Sequence, residues 1–189
     1  VKQDKKLVIA GIDYSMTCPA MTIHTGNEWS FDNCKFYYYT SEKKSLFPSD
    51  KFVGKLYEPW ENNIERFCNL SEFFLMHINH NKVNLIYIEG YSYSSKGQVF
   101  SIGENGGILK WKLYDMGYDF GIIDPSSIKK FATGKGNSKK DDMYRAFCVD
   151  TSLNLCDTLS IKNENKSPCS DIVDSYFICK YAFYDLKGK

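Results

Sequence analysis

The sequence predicts one α/β domain whose sheet opens as an antiparallel meander and continues with strands separated by helices. Two apolar runs, at residues 7–13 and 83–89, each end in a carboxylate, as strands buried on both faces do. Between and after them the hydrophobic spacing switches repeatedly from a period of two to one near 3.6. No linker or internal repeat interrupts the 189 residues, which suffice for one core but not comfortably for two. We therefore expect a single domain over 1–189.

Residues 7–13 form the first predicted strand; residues 20–25 alternate and residues 35–40 are rich in tyrosine, completing the meander. Residues 41–59 carry two prolines and four lysines and read as a long exposed loop inserted into the domain. Residues 61–80 bring Ile64, Phe67, Leu70, Phe73, Phe74 and Ile78 to a helical spacing. After the strand at 83–89, a second helix is expected over 97–116, a strand over 119–124 and a helical turn from Pro125. A glycine loop at 133–137 precedes a helix over 138–151. The stretch 153–168 is polar and irregular, and Ser170 is placed to cap a last helix.

Composition excludes several classes. At 16% aromatic residues the chain is not disordered as a whole. No apolar run approaches the ~18 residues of a membrane span, and Lys2, Lys5 and Lys6 leading into a strand do not read as a cleavable signal. The seven cysteines lack metal-site spacing and read as reduced thiols of an intracellular, cytoplasmic protein. With 24 basic and 23 acidic side chains the net charge is +1, so a polyanionic partner would have to meet a local basic patch.

Two features carry chemistry. Asp13 and Glu89 end the two buried strands, where ligand sites of α/β sheets collect. Asp171 and Asp174 lie three apart, both expected in the first turn of the last helix and on one face. Each acid alone reads more often as a turn residue, a helix cap or a helix-start charge. Together, their hard oxygens suit Mg²⁺ or Mn²⁺, and two such ions are the recurring apparatus of phosphodiester hydrolysis. The second feature is the run from Lys129 to Lys140, where Lys129, Lys130, Lys135, Lys139 and Lys140 surround two glycines. Such a loop can approach phosphates closely, or be a solvated basic turn.

These stretches resemble the RuvC family of Holliday junction resolvases, within the RNase H-like nuclease superfamily. Gly11-Ile12-Asp13 resembles its first-strand aspartate motif and Tyr87-Ile88-Glu89 its central-strand glutamate. Residues 128–140 resemble its lysine-bearing loop, and residues 170–175 its closing helix with two aspartates. The resemblance implies an RNase H-like mixed sheet flanked by helices. It also implies a metal-dependent endonuclease that resolves four-way (Holliday) junctions, leaving 5′-phosphate and 3′-hydroxyl ends. Asp13, Glu89, Asp171 and Asp174 would then hold Mg²⁺ or Mn²⁺, two per site, with Lys129 and Lys140 beside the scissile phosphate. Lys130, Lys135, Lys139, Tyr91 and Tyr93 would contact branched DNA.

The family is homodimeric, and the second helix, with Gly103, Gly106 and Gly107, falls at its dimer contact. The chain departs from the family where Tyr14-Ser15 follows Asp13 in place of Pro-Gly, and where Ser92 stands at a wedge position, between Tyr91 and Tyr93. A branched-DNA or RNA–DNA hybrid nuclease of the same superfamily would use the same acids, and a non-catalytic junction-binding protein could keep the basic loop. A sugar-kinase or actin-like phosphotransferase would need a second domain for which 189 residues leave no room.

Overall fold

A computed structural model describes residues 6–46, 49–91 and 98–188. The meander forms as expected: β1 (Val8–Asp13), β2 (Ala20–Thr25) and β3 (Cys34–Thr40) pair antiparallel in sequence. Next come β4 (Phe52–Leu56), α1 (Asn63–His80), β5 (Leu85–Glu89), α2 (Val99–Asp115) and β6 (Phe120–Ile123). α3 (Pro125–Thr133), α4 (Lys140–Thr151), a single turn α5 (Leu155–Thr158) and α6 (Cys169–Lys187) complete the chain. The strands lie in the order β4-β3-β2-β1-β5-β6, with β1–β5 and β5–β6 parallel.

Alternation along β1 explains both layers. Val8, Ala10 and Ile12 face a core shared with Leu70, Phe74 and Ile78 of α1 and Leu109 and Leu113 of α2. Ile9 and Gly11 face the other side, where α6 crosses the sheet. Gly11 permits that crossing: a Cβ there would lie 2.1 Å from the backbone nitrogen of Cys179. One further hydroxyl pair, Thr22 with Ser175 at 2.8 Å, ties β2 to α6. Because α6 is enclosed between the sheet and α3–α4, its first turns are buried nearly all round, polar Ser170, Asp171 and Ser175 included.

Three expectations need correction. The stretch 41–59 is not simply a loop: β4 (Phe52–Leu56) pairs parallel with β3 and closes one edge of the sheet. Its signal is masked by two lysines, a glycine and flanking prolines. What holds it is packing: Phe52 stacks on Phe36 at 4.8 Å between ring centroids, and Gly54 leaves room for the Tyr38 ring. Residues 153–168, read as irregular, contain α5, whose Leu155 and neighbouring Leu159 are fully buried. Ser170 does not cap α6. Pro168 occupies that position, and Ser170 sits within the first turn with its amide bonded to the Lys166 carbonyl. All seven cysteines are free, four of them buried. No described helix is long and apolar enough to cross a membrane.

Candidate active site

The period-two alternation that puts Ile9 and Gly11 against α6 puts Asp13 there as well, at the end of β1. On β5, Tyr87 shares the α6 side, so Glu89 two residues later faces it too. Since Ile12 pairs with Ile88 in the parallel register, Asp13 and Glu89 end neighbouring strands side by side. The start of α6 then brings Asp171 and Asp174 over them. Asp171 is in the first turn, as expected; Asp174 falls in the second, because the helix opens at Cys169.

The four acids feel one another. Burial pushes the Asp13 carboxyl well above its usual range, and the charges of Glu89, Asp171 and Asp174 push it further, against Lys140. Glu89 is raised to about 7, first by removal from water and then by Asp171, with Lys129 and Lys140 opposing. Asp174 is raised to about 8 by burial and by Glu89 and Asp171, again against Lys140 and Lys129. Asp171 is raised by burial and moderated by hydroxyls and Lys140. Both Asp171 oxygens are engaged: Oδ1 accepts from the Ser15 hydroxyl at 3.4 Å and Oδ2 from Ser170 at 3.2 Å. The Lys140 ammonium donates in turn to Ser170, at 3.2 Å.

Around this cluster the structure sorts the remaining candidates. Lys129, half-buried on α3, and Lys140, at the start of α4, both act electrostatically on the acids. Lys130, Lys135 and Lys139 are exposed. Their loop is pinned rather than loose: the Thr133 and Ser138 hydroxyls meet at 2.5 Å, and Ser138 donates to the Lys135 carbonyl at 2.8 Å. Tyr91 stands at the mouth of a cleft of about 280 Å³ lined by Asp13, Glu89, Ser15 and Lys110. Its hydroxyl accepts from Lys110 at 3.1 Å, and its ring fills the space over Gly106. Gly106 therefore packs inward, while Gly103 and Gly107 leave open space beside α2. Ser92 and Tyr93 lie outside the described residues.

Spacing alone does not reveal Ser15, Ser170 or Lys110. Ser15 and Asp171 are 156 residues apart, and a serine after a strand-end aspartate carries no signal of its own.

The donor set suits a hard divalent cation: four carboxylates, crowded and partly desolvated, whose mutual repulsion such a charge would relieve. Among the described residues no three histidine, cysteine or carboxylate side chains are already closed into a metal-binding group. The fit therefore rests on donor chemistry and charge.

The mixed six-stranded sheet, its antiparallel β1–β3 and its flanking helices define the RNase H-like fold. Within that class the chain is similar to RuvC of Thermus thermophilus, at 18% identity with a TM-score of 0.61, over 96% of this chain and 97% of that one. It is similar to T. thermophilus RuvC in complex with Holliday junction substrate at 15% identity with a TM-score of 0.65, over 96% of each chain. For the yeast mitochondrial Holliday junction resolvase the values are 16% and 0.53, over 95% of this chain and 80% of that one. No protein-family model matches the sequence, and no curated protein matches it. At these identities the likeness establishes the fold.

Proposed function

We propose that this protein is a metal-dependent endonuclease that resolves four-way DNA junctions by paired phosphodiester hydrolysis, leaving 5′-phosphate and 3′-hydroxyl ends. The observation that carries the reading is the coupling of four acids, from β1, β5 and α6, beside Lys129 and Lys140. A structural ion-pair network would balance these charges; here four carboxylates face two lysines, and burial leaves the acids short of cations. The similarity of fold to RuvC in complex with Holliday junction substrate supports the choice of DNA substrate.

In this reading Asp13, Glu89, Asp171 and Asp174 hold Mg²⁺ or Mn²⁺, which when bound supplies Lewis-acid polarisation of the phosphate and acidifies an attacking water. The protein's own groups do the rest. Without the cation, Glu89 and Asp174 retain protons near neutral pH, and they must release them to become ligands. Lys140, which bonds to Ser170, and Lys129 would neutralise charge developing on the phosphate. The exposed Lys130, Lys135 and Lys139 would track the backbone of the DNA arms, with Tyr91 at the cleft mouth.

Paired cuts call for two sites, hence a homodimer. Phe100, Gly103, Gly107, Trp111 and Tyr114 share one face of α2 at helical spacing. Phe100 and Tyr114 are 88% and 79% exposed there, and this face is our candidate contact. The deciding experiment sets a four-way junction against linear duplex, with and without Mg²⁺. Symmetric nicks near the branch, dependent on Mg²⁺, are expected. Equal cutting of the duplex, or none of either substrate, would sink the assignment.

A further inference from the structure

Taking the acidic cluster as the nuclease site proposed above, we infer that Arg66 and Tyr57 clamp the turn after β1 and so set Ser15 as a positioning residue for Asp171. Two side chains from separate elements converge on one carbonyl: the Arg66 guanidinium donates to the Met16 oxygen, and the Tyr57 hydroxyl donates to the same oxygen at 3.3 Å. Arg66 lies in the first turn of α1, and Tyr57 immediately follows β4. Both are braced. The Arg66 guanidinium lies 4.7 Å from the centre of the Trp60 ring, which packs edge-on to Tyr57 at 5.0 Å. Tyr57 in turn stacks on Tyr39 of β3 at 5.2 Å.

The carbonyl they hold belongs to the residue after Ser15. That hydroxyl accepts from the Cys18 amide at 3.2 Å, which closes the turn, and donates to Asp171 Oδ1 at 3.4 Å. Ser170 occupies the other oxygen. A carboxylate fixed from both sides presents its free lone pairs in one direction, and such outer contacts typically govern metal affinity about 10–100-fold. The segment that reads as an insertion thus reaches the acidic cluster through β4, Tyr57 and the turn.

The test uses Ser15→Ala, Tyr57→Phe and Arg66→Lys in the full chain. The first two remove one oxygen each; the third keeps the charge and loses the fork. Calorimetric titration of the metal-free protein with Mn²⁺, without DNA, should show roughly ten-fold weaker binding for Ser15→Ala and a several-fold loss for each of the others. The Mg²⁺ needed for half-maximal junction cleavage should rise in parallel. The double variant Ser15→Ala/Tyr57→Phe should bind no more weakly than Ser15→Ala alone, since the clamp acts only through that hydroxyl.

Unchanged Mn²⁺ affinity in Ser15→Ala, additive losses in the double variant, or losses matched by a lower melting temperature in EDTA would each overturn the clamp. A wild-type protein that takes up no Mn²⁺ and cuts no junction would overturn the nuclease reading beneath it. Normal wild-type behaviour with indifferent variants would overturn the clamp alone.

Discussion

Replacing Gly11 with alanine should damage both the fold and the site, and the structure gives the size of the effect. The new methyl would lie 2.1 Å from the Cys179 nitrogen and 2.6 Å from its Cα. Ordinary van der Waals contact begins at 3.4 Å, so α6 must retreat by more than about 1 Å. The obstacle is helix backbone, which no rotamer change relieves, so the cost belongs at the upper end of overpacking penalties, about 3 kcal/mol. In a domain of this length each kcal/mol lowers the melting temperature by roughly 2–4 °C, giving a fall of roughly 6–12 °C.

The retreat also carries Asp171 and Asp174, which lie roughly 8–12 Å along the same helix, away from Asp13 and Glu89. A misplacement near 1 Å typically costs about 100-fold in rate. Thermal unfolding followed by circular dichroism, with junction cleavage at saturating Mg²⁺, reads both effects. Gly107→Ala serves as the control for the melting measurement alone, since Gly107 lies on the candidate dimer face: within the chain its methyl meets nothing within 4 Å, and it should gain about 0.5–1 kcal/mol from helix propensity. A Gly11→Ala protein that melts with the wild type would refute the close packing of α6 on β1.

Other outcomes follow from the site. Asp13→Asn, Glu89→Gln and Asp174→Asn should each abolish cleavage yet leave junction binding in low salt largely intact; normal cutting by any of them removes that residue from the ligand set. Lys140→Ala should slow single-turnover cleavage more than it weakens binding, and equal losses in a gel-shift assay and in rate would reduce it to a phosphate anchor. Metal-free stability should fall with pH between about 6.5 and 8. In that window the unfolded chain has already lost the Glu89 and Asp174 protons, while the folded chain keeps them until about 7 and about 8. Each proton retained costs roughly 1.4 kcal/mol per pH unit.

His24 and His77, both lowered by burial to about 4, work in the opposite direction below about pH 6.5. The carboxylate effect is therefore read above that point. Melting curves in EDTA should show the decline, and Asp174→Asn should flatten it; a flat wild-type curve would deny the crowding of the acids.

Much of this was legible in the residues. The apolar runs ending at Asp13 and Glu89 marked two strands of the sheet, because a strand sunk into the core leaves a continuous hydrophobic signature; that β1 and β5 pair in parallel came from the fold. The order of acids and lysines along the chain suggested one site because that order resembles the pattern of a known family. β4 was hidden, since Lys51, Gly54 and Lys55 look like loop until the rings of Phe36 and Tyr38 lie against them. Ser170 was misplaced by two residues, because Ser is a good cap in isolation and only its amide bond to the Lys166 carbonyl shows that the helix has already begun.

By itself, then, the sequence determined most element types and the core-facing alternation, which follow from local spacing, and it offered the acids as candidates through their order along the chain. Only the tertiary structure decided which donors and acceptors meet: Ser15 with Asp171, Lys140 with Ser170, and Arg66 and Tyr57 with Met16. Those contacts join residues that share no period. They exist because α6 settles onto Gly11 and the β4 edge carries Tyr57 to the turn, and both depend on shape complementarity between surfaces that local spacing does not encode.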